Sequence, residues 1–269
     1  MTLALTPLRY PGGKSKALDQ ILPHIPLDIG EYREPFVGGG SVFLAVKKLF
    51  GSRIKKYWIN DLNFDLYCFW KYVRDDVFTL LDQVRAFKNF YPDGRELYAF
   101  LKDDTNMRSN FDRAVRFFVM NRITFSGVVD SGGYSQQAFE KRFTDSSIER
   151  IERTAAYLSK VEITNLDYAD VIHQDGDNVF IFLDPPYLSA TDSRLYGVRG
   201  NLHTAFDHER FADEMRKCKH RWLITYDDSE TIRSLFSFAN IIEWDLQYGM
   251  NNYKQTTAAR GRELFIKNF

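Results

Sequence analysis

The hydrophobic pattern is organised around residues 179–183, five consecutive apolar positions, Val179-Phe180-Ile181-Phe182-Leu183. An unbroken run of this length, rich in β-branched and aromatic residues, predicts a strand buried on both faces. Asp184-Pro185-Pro186-Tyr187 follows. Each proline lacks an N–H donor and fixes φ, so the strand must stop there. Shorter strand patterns are expected before the glycine turn at 38–40 and at 57–61, 161–165, 222–226, 241–246 and 263–266. Helical spacing appears at 16–24, 42–50, 206–217 and 228–235, and repeatedly between 63 and 123 (64–73, 77–87, 97–101 and 111–119). A further helix is expected at 145–160, capped by Ser146 or Asp145,. Strands alternating with helices predict an α/β fold with a mainly parallel sheet. The block at 62–160 is too long for a simple crossover and reads as an inserted, mostly helical subdomain,. Within it, Gly127, Gly132 and Gly133 with the intervening valines suggest a hairpin over 124–144,.

Composition bounds the picture without deciding it. With 44% hydrophobic and 27% charged residues the chain reads as a soluble globular protein,. It lacks both a membrane-length apolar run and a signal-peptide core, so a cytoplasmic protein is expected, in a prokaryotic or phage-infected cell,. Cys68 and Cys218 are too few and too isolated for a metal site or a disulfide framework, so no metal is expected,. A formal net charge of zero argues mildly against a nucleic-acid binder,. It does not exclude one, because phosphate contacts need only a local basic face.

Candidate chemistry gathers at strand ends. Asp184 and the Pro185 carbonyl can each accept one hydrogen of an amino group, and Tyr187 offers a ring face to a flat base. The same residues also read as an acidic strand end followed by a rigid turn. Gly38-Gly39-Gly40 between a strand and a helix lets backbone approach a ligand closely, although Phe43 breaks the strict dinucleotide fingerprint,. Asp61, about twenty residues on, can meet a ribose or a ligand amine at the sheet's carboxyl edge. Gly13-Lys14-Ser15 is not a P-loop, since Leu8 stands where a glycine is required,. Residues 189–205 read as a mobile loop, and Lys254, Arg260 and Arg262 as a basic segment,. In the expected hairpin, Gln136 and Gln137 could pair with adenine, and Lys141 and Arg142 could meet phosphates; Tyr134 lies beside them,. A plain polar surface loop remains the alternative there.

Together these motifs resemble the Dam-like DNA adenine-N6 methyltransferases. The likeness is carried by Tyr10-Pro11-Gly12-Gly13-Lys14, Pro35-Phe36-Val37-Gly38-Gly39-Gly40-Ser41, Asn60-Asp61, Asn121-Arg122 with Ser126-Gly127, and Asp184-Pro185-Pro186-Tyr187. It implies a Rossmann-like seven-stranded methyltransferase sheet. It also implies a catalytic domain binding S-adenosyl-L-methionine over 1–61 and 161–269, and a target-recognition insertion over 62–160. Tyr10, Lys14, Phe36, Gly38, Gly39, Gly40, Asp61, Asp167 and Asp184 match cofactor positions, and Asp184, Pro185, Pro186 and Tyr187 the catalytic motif. Asn121, Arg122, Tyr134, Gln136, Gln137, Lys141 and Arg142 become candidates for contacting double-stranded DNA. The family usually has Asn-Gly where this chain has Ser126-Gly127, so a GATC recognition sequence does not carry over. Neither does a partner restriction endonuclease. The rival readings are an amine methyltransferase acting on RNA or protein glutamine, and a catalytically idle cofactor- or DNA-binding module.

Overall fold

The structure is a computed structural model describing residues 6–188, 206–247 and 260–269. The expected loop at 189–205, and Lys254, lie outside the described residues. Seven strands form one sheet: β1 (Glu31–Glu34), β2 (Lys56–Asn60), β3 (Val161–Thr164), β4 (Val179–Leu183), β5 (Arg221–Asp227), β6 (Asn240–Gln247) and β7 (Arg260–Lys267). Their spatial order is β3-β2-β1-β4-β5-β7-β6. The pairs among β1 to β5 are parallel, and β7 runs antiparallel to both neighbours. This is the mainly parallel, Rossmann-like sheet expected, with Arg260 and Arg262 in β7.

The sheet is buried on both faces because its strands divide their side chains between two cores. Phe180 and Phe182 of β4 enter one hydrophobic cluster, with Leu223 and Phe265. Val179, Ile181 and Leu183 enter the other, with Trp222, Ile224, Leu264 and Ile266. A continuous apolar run serves both sides at once, as a strand covered twice requires. The first cluster is covered by α1 (Leu18–Ile21), α2 (Ser41–Phe50) and the helical block α3 (Phe64–Asp75), α4 (Val77–Phe90), α5 (Gly94–Lys102), α6 (Asn110–Ile123), α7 (Gln136–Arg142) and α8 (Asp145–Leu158). The second is covered by α9 (Tyr168–His173), α10 (His208–Lys217) and α11 (Glu230–Leu235).

Turn chemistry sets the helix starts. Asn63, Asp76, Asp93 and Ser109 each cap a helix by accepting an N–H one turn in,. For α8 the cap is Thr144, in a reciprocal capping box with Ser147, rather than Ser146 or Asp145,. The helix expected at 16–24 is broken into two 3-10 turns around the four-residue α1, with Pro23 inside the second. At six residues, α9 is too short for its periodicity to register.

The expected hairpin shrinks to a single antiparallel bridge, Thr124 to Tyr134. Two of its glycines serve close crossings instead: a Cβ at Gly127 would lie 2.3 Å from the Arg9 carbonyl oxygen, and one at Gly132 2.1 Å from that of Val128. Ser135 then caps α7, so Gln136, Gln137, Lys141 and Arg142 sit on a helix. The turn before the crossing holds Ser126 at φ 55, left-handed and exposed. That conformation costs a β-carbon residue roughly 1–2 kcal/mol, and asparagine bears it best among them. Ser126→Asn should therefore raise the stability by up to about 1 kcal/mol, and Ser126→Val should lower it by a similar amount; urea unfolding midpoints measure both.

Candidate active site

Successive strands proceed outward from β1 to β3 on one side and from β4 to β5 on the other. The order therefore reverses between β1 and β4, and the crevice beyond their carboxyl ends is where an open α/β sheet takes its ligands. Pro35 leaves β1 there, Asp61 leaves β2 and Asp184 leaves β4. Asn60 staples this edge together. Its fully buried amide donates to the carbonyls of Pro35 (3.1 Å) and Leu166 (3.0 Å), and its oxygen accepts from Leu166 N and Thr164 Oγ1 (both 2.8 Å).

The glycine turn is shaped by two aromatic rings. Gly38 and Gly40 have φ of +46 and +69, a region open to glycine without a steric cost. A Cβ at Gly38 would sit 2.8 Å from the Tyr10 ring, one at Gly39 2.7 Å from Tyr10 Cβ, and one at Gly40 2.8 Å from Trp70. Trp70 Nε1 donates to the Gly38 carbonyl at 3.1 Å. On its other side the turn meets Asp61, whose carboxylate accepts from Gly38 N (2.9 Å) and Asn63 N (3.0 Å). Burial pushes the Asp61 carboxyl up to about 6, against the pull of those two N–H groups. Glu34 lies below, buried and accepting from the Tyr32 hydroxyl at 2.6 Å. Burial above all, then the charges of Asp184 and Asp61, raise its carboxyl well above the usual range. The three acids thus share one edge, and burial favours the protonated form of Glu34.

Asp184 is held from two sides. The Lys14 ammonium, itself buried, meets Oδ1 at 2.8 Å, and the Thr225 hydroxyl donates to the same oxygen at 2.7 Å. That leaves Oδ2 as the oxygen with capacity for an incoming N–H. Lys14 also donates to the Gly12 carbonyl and lies 4.7 Å from the centroid of the Tyr187 ring. The Tyr187 hydroxyl donates to Glu263 Oε2 at 2.7 Å, and Leu188 N donates to Asp227 Oδ1 at 3.1 Å. Pro185 is buried and Pro186 half-buried beside them.

A third group flanks the crevice. Phe36 packs against Tyr168, Phe206 and Phe211 at centroid distances of 5.5, 5.8 and 5.9 Å. Asp167 caps α9 and is bidentate to Arg210, at 2.9 and 3.1 Å. A ligand amine at Asp167 must therefore share the carboxylate with that guanidinium.

The remaining candidates separate. Gln137, Lys141 and Arg142 are exposed on α7. Gln136 is spoken for: it accepts from the Tyr134 hydroxyl (2.6 Å) and donates to Glu140 (2.8 Å). Asn121 is fully buried, so its expected contact with DNA is corrected to an internal brace. It accepts from Arg9 N and donates to the carbonyls of Arg9 and Gly127, all at 2.9 Å. Arg122 is also buried, at 2% exposure. Lys14's pairing with Asp184, and the parts of Thr225, Glu263, Asp227 and Glu34, had no signal in residue spacing. A single acid inside the apolar strand Glu263-Leu264-Phe265-Ile266 was the one visible hint.

Residues 10–250 match the family described as D12 class N6 adenine-specific DNA methyltransferase. Among curated proteins, the chain is 27% identical over 201 residues to the type II methyltransferase M.MjaIII of Methanocaldococcus jannaschii, covering 67% of this chain and 68% of that protein. It is 25% identical to a DNA adenine methylase of Vibrio cholerae, covering 87% and 85%. To the type II methyltransferase M.CviBI of Paramecium bursaria Chlorella virus NC1A it is 23% identical, covering 97% and 98%.

Replacing Asn60 by alanine removes four hydrogen bonds and strands the carbonyls of Pro35 and Leu166. The expected cost is about 2–4 kcal/mol of stability, read from chemical unfolding.

Proposed function

The chain belongs to the D12 class of N6 adenine-specific DNA methyltransferases, and from that premise we propose how its residues divide the work. The protein methylates adenine in DNA with an S-adenosylmethionine-type donor. We assign donor binding and chemistry to 1–61 and 161–269, and reading of the duplex to 62–160. The observation that carries this reading is the position of Asp184, at the switch point and paired with the lysine of the same segment whose Tyr10 ring packs on the glycine turn.

The residues at the crevice fit S-adenosylmethionine. Its ammonium and sulfonium charges suit an edge bearing Asp61 and Asp184, its carboxylate suits Lys14, and its adenine suits the aromatic group around Phe36 and Tyr168 beside Asp167. When bound, it supplies a methyl group on a positively charged sulfur, ready for transfer to a nucleophile. Gly38, Gly39 and Gly40 keep the floor of the site free of side chains.

The nucleophile is the adenine N6 amine, whose lone pair is delocalised into the ring. Asp184 Oδ2 and the Pro185 carbonyl accept its two hydrogens and favour a pyramidal nitrogen with a localised lone pair. Lys14 and Thr225 fix Oδ1 and so orient the carboxylate. Holding the amine in line with the donor's methyl would supply roughly 7–11 kcal/mol of the barrier. The carbon–nitrogen bond would form as the carbon–sulfur bond breaks, and the surplus proton on nitrogen would leave to solvent afterwards. Because the amine lies inside the duplex stack, the base is flipped out, at a cost of a few kcal/mol. Stacking on the Tyr187 ring, held by its hydroxyl on Glu263, returns about 1–3 kcal/mol,. Tyr134, Gln136, Gln137, Lys141 and Arg142 line the DNA-facing side in this reading, with Arg122 buried near the end of α6.

Asp184→Ala, checked for fold and for donor binding, should lower methyl transfer by about 10²–10⁴-fold. The assay is tritiated-methyl incorporation into duplex DNA, RNA and protein in parallel, with the methylated base mapped. Incorporation into RNA or protein alone, or normal turnover by the variant, refutes the assignment.

Asp61 gives a pH dependence. Its folded pKa is raised from 3.8 to about 6, so its contribution to folding stability is full below the unfolded value. That contribution is lost as pH rises through about 6. Donor binding runs the other way, since a cationic ligand needs the carboxylate. Donor affinity should rise as pH passes upward through about 6, and Asp61→Asn should flatten that rise in calorimetric titrations.

A further inference from the structure

The buried polar side chains of α6 fall into two kinds. Arg116 is fully engaged: its guanidinium donates to the Leu101 carbonyl at 2.9 Å, pairs with Asp65 and approaches Asp130 at 3.5 Å. Asn121 satisfies both ends of its amide. Arg122 does not. It is 2% exposed, its Nε and Nη2 are buried without a hydrogen-bond partner, and no carboxylate among the described residues pairs with it. Its guanidinium carbon lies 5.3 Å from the centroid of the Phe118 ring.

Its surroundings are cationic. Arg9, Arg142 and Arg150 are the charges that act on it, and burial together with all three lowers its pKa to about 9. Arg9 is half-buried, and its Nη1 is likewise without a partner. Its backbone is clamped by Asn121, the neighbour of Arg122. Arg142 ends α7, and Arg150, on α8, donates only to the Ser146 carbonyl at 3.3 Å. No ion pair among the described residues engages any of the four.

An unpaired buried guanidinium costs several kcal/mol, and three more cations beside it add repulsion. A multivalent set of planar donors with no acceptor is complementary to an oxyanion, carboxylate or phosphate, and a DNA substrate brings the phosphate. We infer that Arg9, Arg122, Arg142 and Arg150 form a seat for one phosphodiester of the DNA backbone. Arg9 and Arg150 are the members that spacing in the sequence never suggested. The seat adjoins the N-terminal segment that packs on the glycine turn, since Arg9 precedes Tyr10. A strand gripped there is registered against Asp184. The inference rests on the proposal that residues 62–160 face DNA.

The test reads binding alone, with neither methyl donor nor turnover. Wild type, Arg122→Met and Arg150→Gln are titrated with a duplex oligonucleotide by fluorescence anisotropy over a salt series. Arg122→Met should weaken binding about tenfold or more, with the log–log salt slope smaller by about one. The unliganded variant should also melt higher than wild type, because a buried unpaired charge is gone; an arginine that merely props up the core would do the reverse. Arg150→Gln, which leaves the core intact, should weaken binding and lower the slope in the same direction. In a second arm, inorganic phosphate at matched ionic strength should raise the melting temperature of wild type more than that of Arg122→Met. A phosphate response with duplex affinity unchanged in both variants would make this a free-phosphate site and overturn the assignment to DNA. Unchanged affinity and slope with no phosphate response overturn the seat altogether. Arginine-dependent duplex binding in a protein that fails to transfer methyl groups would retire the proposed chemistry and leave the seat standing.

Discussion

A lysine ammonium pressed against a carboxylate at the mouth of β4 is the contact on which the site depends. Lys14 and Asp184 are far apart in sequence, and both are largely withdrawn from water. A buried pair of this kind adds little net stability, but removing either partner leaves an uncompensated charge, so the pair enforces an arrangement. What it enforces is the path of residues 8–16 across the carboxyl edge of the sheet. That one segment touches three structures: the glycine turn through Tyr10, β4 through Lys14, and α6 through the Arg9 backbone on Asn121. The crevice at the switch point is therefore walled by the N-terminal segment as well as by the strand ends.

Much of the frame was legible in the residues. An uninterrupted apolar strand, two prolines after it and a glycine turn beyond an earlier strand place Asp184, Asp61 and residues 38–40 at one edge, because parallel strands bring their ends together. What escaped has a common physical character: it depends on partners distant in sequence. β1 reads as Glu-Tyr-Arg-Glu, yet all four residues are buried. Arg33 can be there because Glu31 and the carbonyls of Val171, Gln174 and Asp175, at and just past the end of α9, take its donors. The hairpin failed for the reverse reason, since two of its glycines answer to Val128 and Arg9 backbone crowding rather than to a turn between strands. Asn121, a candidate for contacting DNA by resemblance, has its role set by Arg9 and Gly127, partners that are not visible as neighbours in the sequence.

The boundary between sheet and insertion, clear along the chain, does not exist in the packing. Buried residues of α3, α4, α6 and α8 belong to the same hydrophobic cluster as α2 and the inner face of β1, β2 and β4. Trp70 of α3 supplies the wall under Gly40 and the donor for the Gly38 carbonyl. Asn121 of α6 ties the segment that carries Lys14. A close-packed interior transmits displacement rather than absorbing it. The helices assigned to DNA and the carboxylate assigned to the amine are thus joined, among the described residues, by one continuous core. For a transfer that loses about 10²-fold in rate when the reacting groups are misplaced by 1 Å, such a frame matters more than any single binding contact. The N-terminal segment runs between them, and in passing from Arg9 to Lys14 it ties α6, the glycine turn and β4 together at once.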